Sequence, residues 1–165
     1  PVVPGLGMPL NSRAQMFWLD EGLPTSLAPG RRPRTTLSPS MAQEPDGTAH
    51  AFGTPGGDQQ DQWQLIFMLR LIHAEANLPA AIDAPLFHST HFQSSFYPRA
   101  VEPAAMTIEP AFGPGVINAL RQRGHSVTVA EPWSVGRLTA TSLSRQGMMK
   151  AAATPRMMQA YALGR

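Results

Sequence analysis

The segment Gly53-Thr54-Pro55-Gly56-Gly57-Asp58 lies between an apolar, strand-like run and a strongly apolar helical stretch. A strand that ends in paired glycines and turns directly into such a helix implies a layered fold, sheets with helices on one or both faces. The helix, predicted from Gln59 to Ala76 with Asp58 as N-cap, carries Trp63, Ile66, Phe67, Leu69, Leu71 and Ile72. Apolar over more than half its circumference, it is expected to be mostly buried. The glycines admit a second reading. Backbone N–H groups at Gly56 and Gly57 can approach a substrate with no side chain in the way, beside the positive end of a helix, an arrangement suited to an oxyanion hole. On local sequence alone, a tight strand-to-helix turn accounts for them equally well.

Other elements follow from pattern and punctuation. Pro1 to Pro9 reads as irregular, and Leu10 to Leu19 as a short segment stopped at Asp20-Glu21-Gly22. Thr35 to Ala42 is predicted as a strand, with a turn at Pro45-Asp46-Gly47 and a returning strand from Thr48 to Gly53. That hairpin delivers the glycine turn. Pro79 opens a shorter helix to Ala84 that Pro85 closes. Strands are expected at Met106–Glu109, Ser126–Glu131, Arg137–Ser144 and Met148–Ala153, and a helix at Pro114–Arg123 stopped by Gly124. At 165 residues and 42% hydrophobic content, residues 1–165 make one domain or part of one. The 17 prolines and 14 glycines are spread as loop punctuation, so neither a linker nor a low-complexity tract divides the chain.

Charge excludes little. A net charge of +2 and a pI near 9.7 rest on a small imbalance, since only 15% of residues are charged. The dense cluster Arg31, Arg32 and Arg34 is broken by Pro33 and has no interleaved aromatics, so it reads as a proline-stiffened turn and no nucleic acid partner is expected. Cysteine is absent, which removes disulfides, thiol catalysis and thiolate metal sites. No apolar run is long enough for a membrane span. Pro1-Val2-Val3-Pro4 has neither an initiator Met nor a signal pattern and reads as an internal start.

Together with the glycine turn, Pro29-Gly30-Arg31-Arg32-Pro33-Arg34-Thr35-Thr36-Leu37-Ser38-Pro39 resembles the small-subunit signature of the gamma-glutamyltransferase family of N-terminal-nucleophile hydrolases. In that family a Pro-Gly-Lys/Arg-Arg-Pro turn leads to a hydroxyl pair and a Ser-Pro, followed by a Pro-Gly-Gly turn and a long helix. The likeness continues through Asn77-Leu78, Ala81-Ile82-Asp83-Ala84-Pro85, Phe87-His88, Gly124-His125 and Thr154-Pro155-Arg156, nearly the whole chain. The resemblance implies an α+β fold, the four-layer αββα sandwich, incomplete in this chain. It also implies a nucleophilic threonine a few dozen residues before the point matching Pro1.

By resemblance, the N–H groups of Gly56 and Gly57 would stabilise the oxyanion formed when that threonine attacks an amide carbonyl. Thr35 and Thr36 match the hydroxyl pair that holds the donor's α-carboxylate. Ordinary strand threonines are the competing account, and a regular strand would point the two to opposite faces. Leu10-Asn11-Ser12-Arg13-Ala14-Gln15-Met16-Phe17 departs from the family pattern. Asn11 keeps a donor-contacting position, but Arg13 stands where Glu or Gln is usual, and Gln15 and Met16 where two aspartates grip a gamma-glutamyl ammonium group. A guanidinium at Arg13 suits a carboxylate, as in a glutaryl-type acyl group, unless it is a surface arginine on a loop.

Remaining candidates read as structural. His88 and His91 lack the cysteines or carboxylates that would complete a metal site and are expected as hydrogen-bonded loop residues, and His125 as a turn residue. The pairs Met148-Met149 and Met157-Met158 are expected to fill the core. Trp63, Trp133, Phe92, Phe96 and Tyr97 either line a pocket or pack under loops.

The resemblance thus implies most of the small subunit of a self-processing amidohydrolase that needs no cofactor. Its expected partners are a large subunit from the same precursor and a small-molecule amide or gamma-glutamyl donor. The isolated chain is expected to be inactive without its threonine. A non-catalytic copy of the fold, serving as a binding or structural subunit, is the alternative in a different class. Family members are often exported, so the periplasm or extracellular space is the leading compartment and the cytoplasm the other.

Overall fold

A computed structural model describes residues 2–74, 76–158 and 160–163. Two sheets organise the chain. The larger is antiparallel, in the order β1 (Ser40–Gln43), β2 (Ala49–Gly53), β6 (Thr139–Leu143), β7 (Met149–Ala153). The smaller contains β3 (Phe87–Ser89), β4 (Ala105–Ile108) and β5 (Ser126–Val129), with β4 parallel to β5. Helix α1 (Gln60–His73) and helix α2 (Leu78–Asp83) pack on one face of the larger sheet, while α3 (Gly113–Gln122) makes the crossover between β4 and β5.

Local chemistry accounts for these elements. Between β1 and β2, the Asp46 carboxylate accepts the N–H of Thr48 at 2.8 Å and its hydroxyl at 3.1 Å, closing the predicted turn. Asn77 Oδ1 accepts the Ala80 N–H at 2.9 Å and caps α2, with Pro79 in its first turn. Strand alternation then sorts the larger sheet. Register puts His50 and Phe52 of β2, Ala140 and Ser142 of β6 and Ala152 of β7 on the helix side, and all five are buried. With them Trp63, Phe67, Leu78, Ala81, Ile82, Leu86, Val135 and Leu138 complete the core. Phe52 meets Phe67 with ring centroids 5.1 Å apart. Burial of each such large side chain contributes about 1.5–3 kcal/mol.

The opposite face of this sheet is open over most of its area, with Tyr161, Ala162 and Leu163 beside Ala51, Thr141 and Ala151. Met41, Ala51, Thr141 and Ala151 form one cross-strand row, and Gln43, Ala49, Leu143 and Met149 another. Met41 is 79% exposed and Met149 74%.

Several expectations need correction. The first strand begins at Ser40, because Thr35 through Pro39 runs as irregular backbone without ladder partners. α1 is shorter than predicted and buries one face only: Leu65, Leu69 and Ile72 are exposed, since nothing among the described residues covers that side. Asp58 is no N-cap; a short 3-10 turn over Gly57–Gln59 precedes the helix. Met148, Met149, Met157 and Met158 are all exposed and fill no core. His88 lies in β3, a strand too short for its alternation to register in the sequence. No helix is long and apolar enough to cross a membrane among the described residues.

Candidate active site

β2 runs into the glycine turn and the turn into α1, so the turn sits at the edge where sheet meets helix layer. Gly56 has φ +144° and Gly57 φ +61°, backbone geometry that side-chain-bearing residues rarely adopt. Packing enforces the choice. A Cβ on Gly56 would lie 2.2 Å from Cζ3 of Trp63, and one on Gly57 3.2 Å from Cε2 of Phe96. Among the described residues, neither glycine N–H has a hydrogen-bond acceptor.

The turn borders a cleft of about 640 Å³ that Arg13, Thr36, Ser38, Gln60 and Phe96 also line. Four of the six residues singled out from the sequence, Arg13, Thr36, Gly56 and Gly57, therefore meet in one place. Arg13 Nη1 donates to Thr36 Oγ1 at 3.4 Å, which sets the guanidinium beside the hydroxyl. The other two brace the backbone that carries them. Asn11 Oδ1 accepts the Arg13 N–H at 2.7 Å at the start of a 3-10 turn over Ser12–Met16, and Thr35 Oγ1 accepts the Leu37 N–H at 3.1 Å. Thr36 is buried and Thr35 exposed, so adjacent hydroxyls point apart. Met16 is 2% exposed, so its side chain is closed off from solvent.

Residues distant in sequence complete the walls. Asp58 accepts the Ser95 N–H at 2.8 Å, the Ser95 hydroxyl, and the Ser94 hydroxyl at 3.4 Å, which brings Phe96 over Gly57. Arg99 donates to Ser95 O at 2.8 Å and to Phe17 O at 2.6 Å, and its guanidinium lies 4.6 Å from the Trp18 ring centre. The segment from Ser94 to Arg99 thus ties the glycine turn to the stretch that carries Arg13. Ser38 Oγ donates to Gln60 Oε1 at 3.2 Å and accepts from Gln64 Nε2 at 2.9 Å. Sequence reasoning passed over Gln60 and Gln64. Two amide side chains one turn apart, on the same face of α1 as the buried Trp63 and Phe67, were the available signal.

The histidines do other work. His88 meets Trp63 edge-on with ring centroids 5.4 Å apart, and burial pushes its imidazole below the ordinary histidine value. His91 Nδ1 accepts the Ala104 N–H at 2.8 Å, and the His125 N–H donates to Leu120 O at 3.2 Å in the turn after α3. Among the described residues, no group of histidine and carboxylate side chains has metal-binding geometry.

Away from the residues that line the cleft, Arg156 and Glu109 form a buried pair, 2% exposed each. Arg156 Nη2 donates to Glu109 Oε2 at 2.8 Å and Nε to Oε1 at 3.0 Å. Burial pushes the Glu109 carboxyl up. Hydrogen bonds from Arg156 and from the N–H groups of Leu86 and Val135, with the Arg156 charge, outweigh that and hold it below the ordinary value.

Comparison with known proteins gives the family of the chain. Residues 1–164 match the family model described as Gamma-glutamyltranspeptidase. The chain is 33% identical over 159 residues to the oxamate amidohydrolase proenzyme of Klebsiella pneumoniae subsp. pneumoniae, covering 94% of this chain and 29% of that protein. To the acylase ACY 1 proenzyme of Pseudomonas sp. strain SE83 it is 30% identical over 151 residues, covering 92% and 25%. It therefore spans under a third of these relatives' lengths. The solved structure of LmbA2991HD matches at 53% identity and a TM-score of 0.88, over 100% of this chain and 30% of that one. The gamma-glutamyltranspeptidase from Pseudomonas nitroreducens shares the fold at 20% identity and a TM-score of 0.71, covering 100% and 86%. The fold is accordingly the α+β fold of N-terminal-nucleophile hydrolases expected from the sequence.

Proposed function

This chain belongs to the gamma-glutamyltranspeptidase family, and on that premise we propose that residues 1–165 form most of the small subunit of a self-processing enzyme for acyl transfer or hydrolysis of amides. The observation that carries this reading is the convergence of Arg13, Thr36, Gly56 and Gly57 on one cleft. A threonine contributed from upstream attacks the amide carbonyl, and its own α-amino group takes the hydroxyl proton. Negative charge grows on the carbonyl oxygen, where the N–H groups of Gly56 and Gly57 stabilise it. Collapse breaks the C–N bond, the departing amine receives the proton, and water or an amine then releases the acyl group.

Two features bear on the donor. Arg13 offers a guanidinium where a gamma-glutamyl ammonium group would need carboxylates, and Met16 is buried and apolar. Oxamate, in the name of the Klebsiella relative, is an amide that carries a carboxylate, the kind of group Arg13 would hold. We assign the substrate class as amides whose acyl part bears a carboxylate, with Arg13 and Thr36 at that group and Asn11 and Thr35 setting their backbone. A large subunit from the same precursor would cover the open face of the larger sheet.

Intact mass of the whole natural reading frame, followed over time, tests this. Cleavage just before a threonine, with turnover of glutaryl-p-nitroanilide by the product and none by the 165-residue chain, is the expected result. A folded precursor that stays whole would favour a non-catalytic copy, and preference for the gamma-glutamyl donor would overturn the role of Arg13.

A further inference from the structure

Gln60 is the first residue of α1 and only 7% exposed, yet it lines the same cleft as Arg13, Thr36 and Gly57. Its carboxamide is held by a relay. Gln64, one turn along and 4% exposed, donates from Nε2 to Ser38 Oγ, and Ser38 Oγ donates to Gln60 Oε1. The Oε1 of Gln64 is buried with no partner among the described residues. An apolar side chain at either position would pack without the cost of stripping water from an amide, so packing alone does not explain the pair. With Oε1 occupied by Ser38, the Gln60 amino group keeps two N–H donors and no acceptor among the described residues. Reversing both amides would turn an oxygen toward the cleft instead. Arg13 draws an anionic group there, and an anion selects the arrangement with the donor outward.

We infer that Gln60 is a specificity residue that touches the substrate, its Nε2 donating a hydrogen bond to the carboxylate of the acyl group that Arg13 and Thr36 hold. Ser38 and Gln64 are positioning residues that fix the amide. This rests on the acyl-transfer reading of the cleft and deepens it, since it adds a neutral donor to a site otherwise defined by one cation and one hydroxyl. No covalent step changes.

The test uses the whole natural protein after self-cleavage, with glutaryl-p-nitroanilide and hexanoyl-p-nitroanilide, a chain without the carboxylate, as donors. In Gln60→Met, kcat/KM for the glutaryl donor should fall roughly tenfold to a hundredfold, mainly through KM, as expected for a lost hydrogen bond to a charged group. The hexanoyl donor should change less than about threefold. Ser38→Ala should shift the same ratio in the same direction. An equal fall on both donors, or no change on either, overturns the inference while leaving the enzyme reading intact. Self-cleaved wild type that turns over neither of these donors nor gamma-glutamyl-p-nitroanilide defeats the acyl-transfer reading itself. Should Gln60→Met fail to accumulate, Gln60→Asn, which keeps the amide and withdraws it by one methylene, is read by the same ratio.

Discussion

Gly56 shows how one residue can be fixed by two independent constraints. Its φ of +144° excludes most side chains on backbone grounds, and the Trp63 ring 2.2 Å from a would-be Cβ excludes them on packing grounds. Gly56→Ala should therefore cost about 1–3 kcal/mol of stability. It should also lower kcat more than KM, because the displaced N–H would serve the transition state; urea unfolding and steady-state kinetics on the whole protein check both. At this scale the sequence was readable where a residue's type alone carries the chemistry. Paired glycines ahead of a helix could be singled out without coordinates, and so could Arg13, through a resemblance in which Glu or Gln is usual at its position. Phe96 was named only as an aromatic that lines a pocket or packs under a loop, because nothing local links it to Gly57, and Gln60 was hidden among the other polar residues of the first turn of α1.

Elements were legible where turn chemistry and alternation agree, as in the β1–β2 hairpin and in β6 and β7. Thr35 through Pro39 misled because threonine's strand preference spoke for a strand that has no neighbour to pair with. Asp58 misled because an acidic residue before a helix fits the N-cap pattern, while its carboxylate is spent on Ser94 and Ser95. That substitution of roles carries a prediction. Asp58→Asn should weaken the hold on the segment from Ser94 to Arg99 and destabilise the protein by about 1–3 kcal/mol. Proteolysis should then cut near Tyr97 faster than in wild type; an unchanged cutting rate would mean that Arg99 alone holds the segment through Phe17 and Trp18.

Across the whole molecule, the Glu109–Arg156 pair joins the end of β4 to the segment after β7 and to the carbonyls closing α2, Ile82 O at 2.9 Å and Ala84 O at 3.1 Å. Glu109 sits below its ordinary value near 4.5, so its stabilisation is complete above that pH and is lost as pH falls through the lowered folded value. Glu109→Gln should cost about 3–5 kcal/mol at neutral pH by leaving Arg156 unpaired. The difference from wild type should shrink in chemical denaturation as pH falls below the ordinary carboxylate value of 4.5. The open sheet face makes the larger claim. Rows of small and apolar residues from Met41 to Ala151 suit close approach of a second sheet, whereas a face that meets water would carry polar side chains. Thr141→Lys with Ala151→Lys puts two charges at the centre of that face. If the large subunit packs there, the precursor bearing both should fail to self-cleave or should separate into its parts on gel filtration, since two unpaired ammonium groups would be buried. Gln122→Lys, an exposed change on α3, should leave processing and assembly as in wild type. Normal cleavage and assembly of the doubly charged protein would place the large subunit elsewhere and leave this face to solvent.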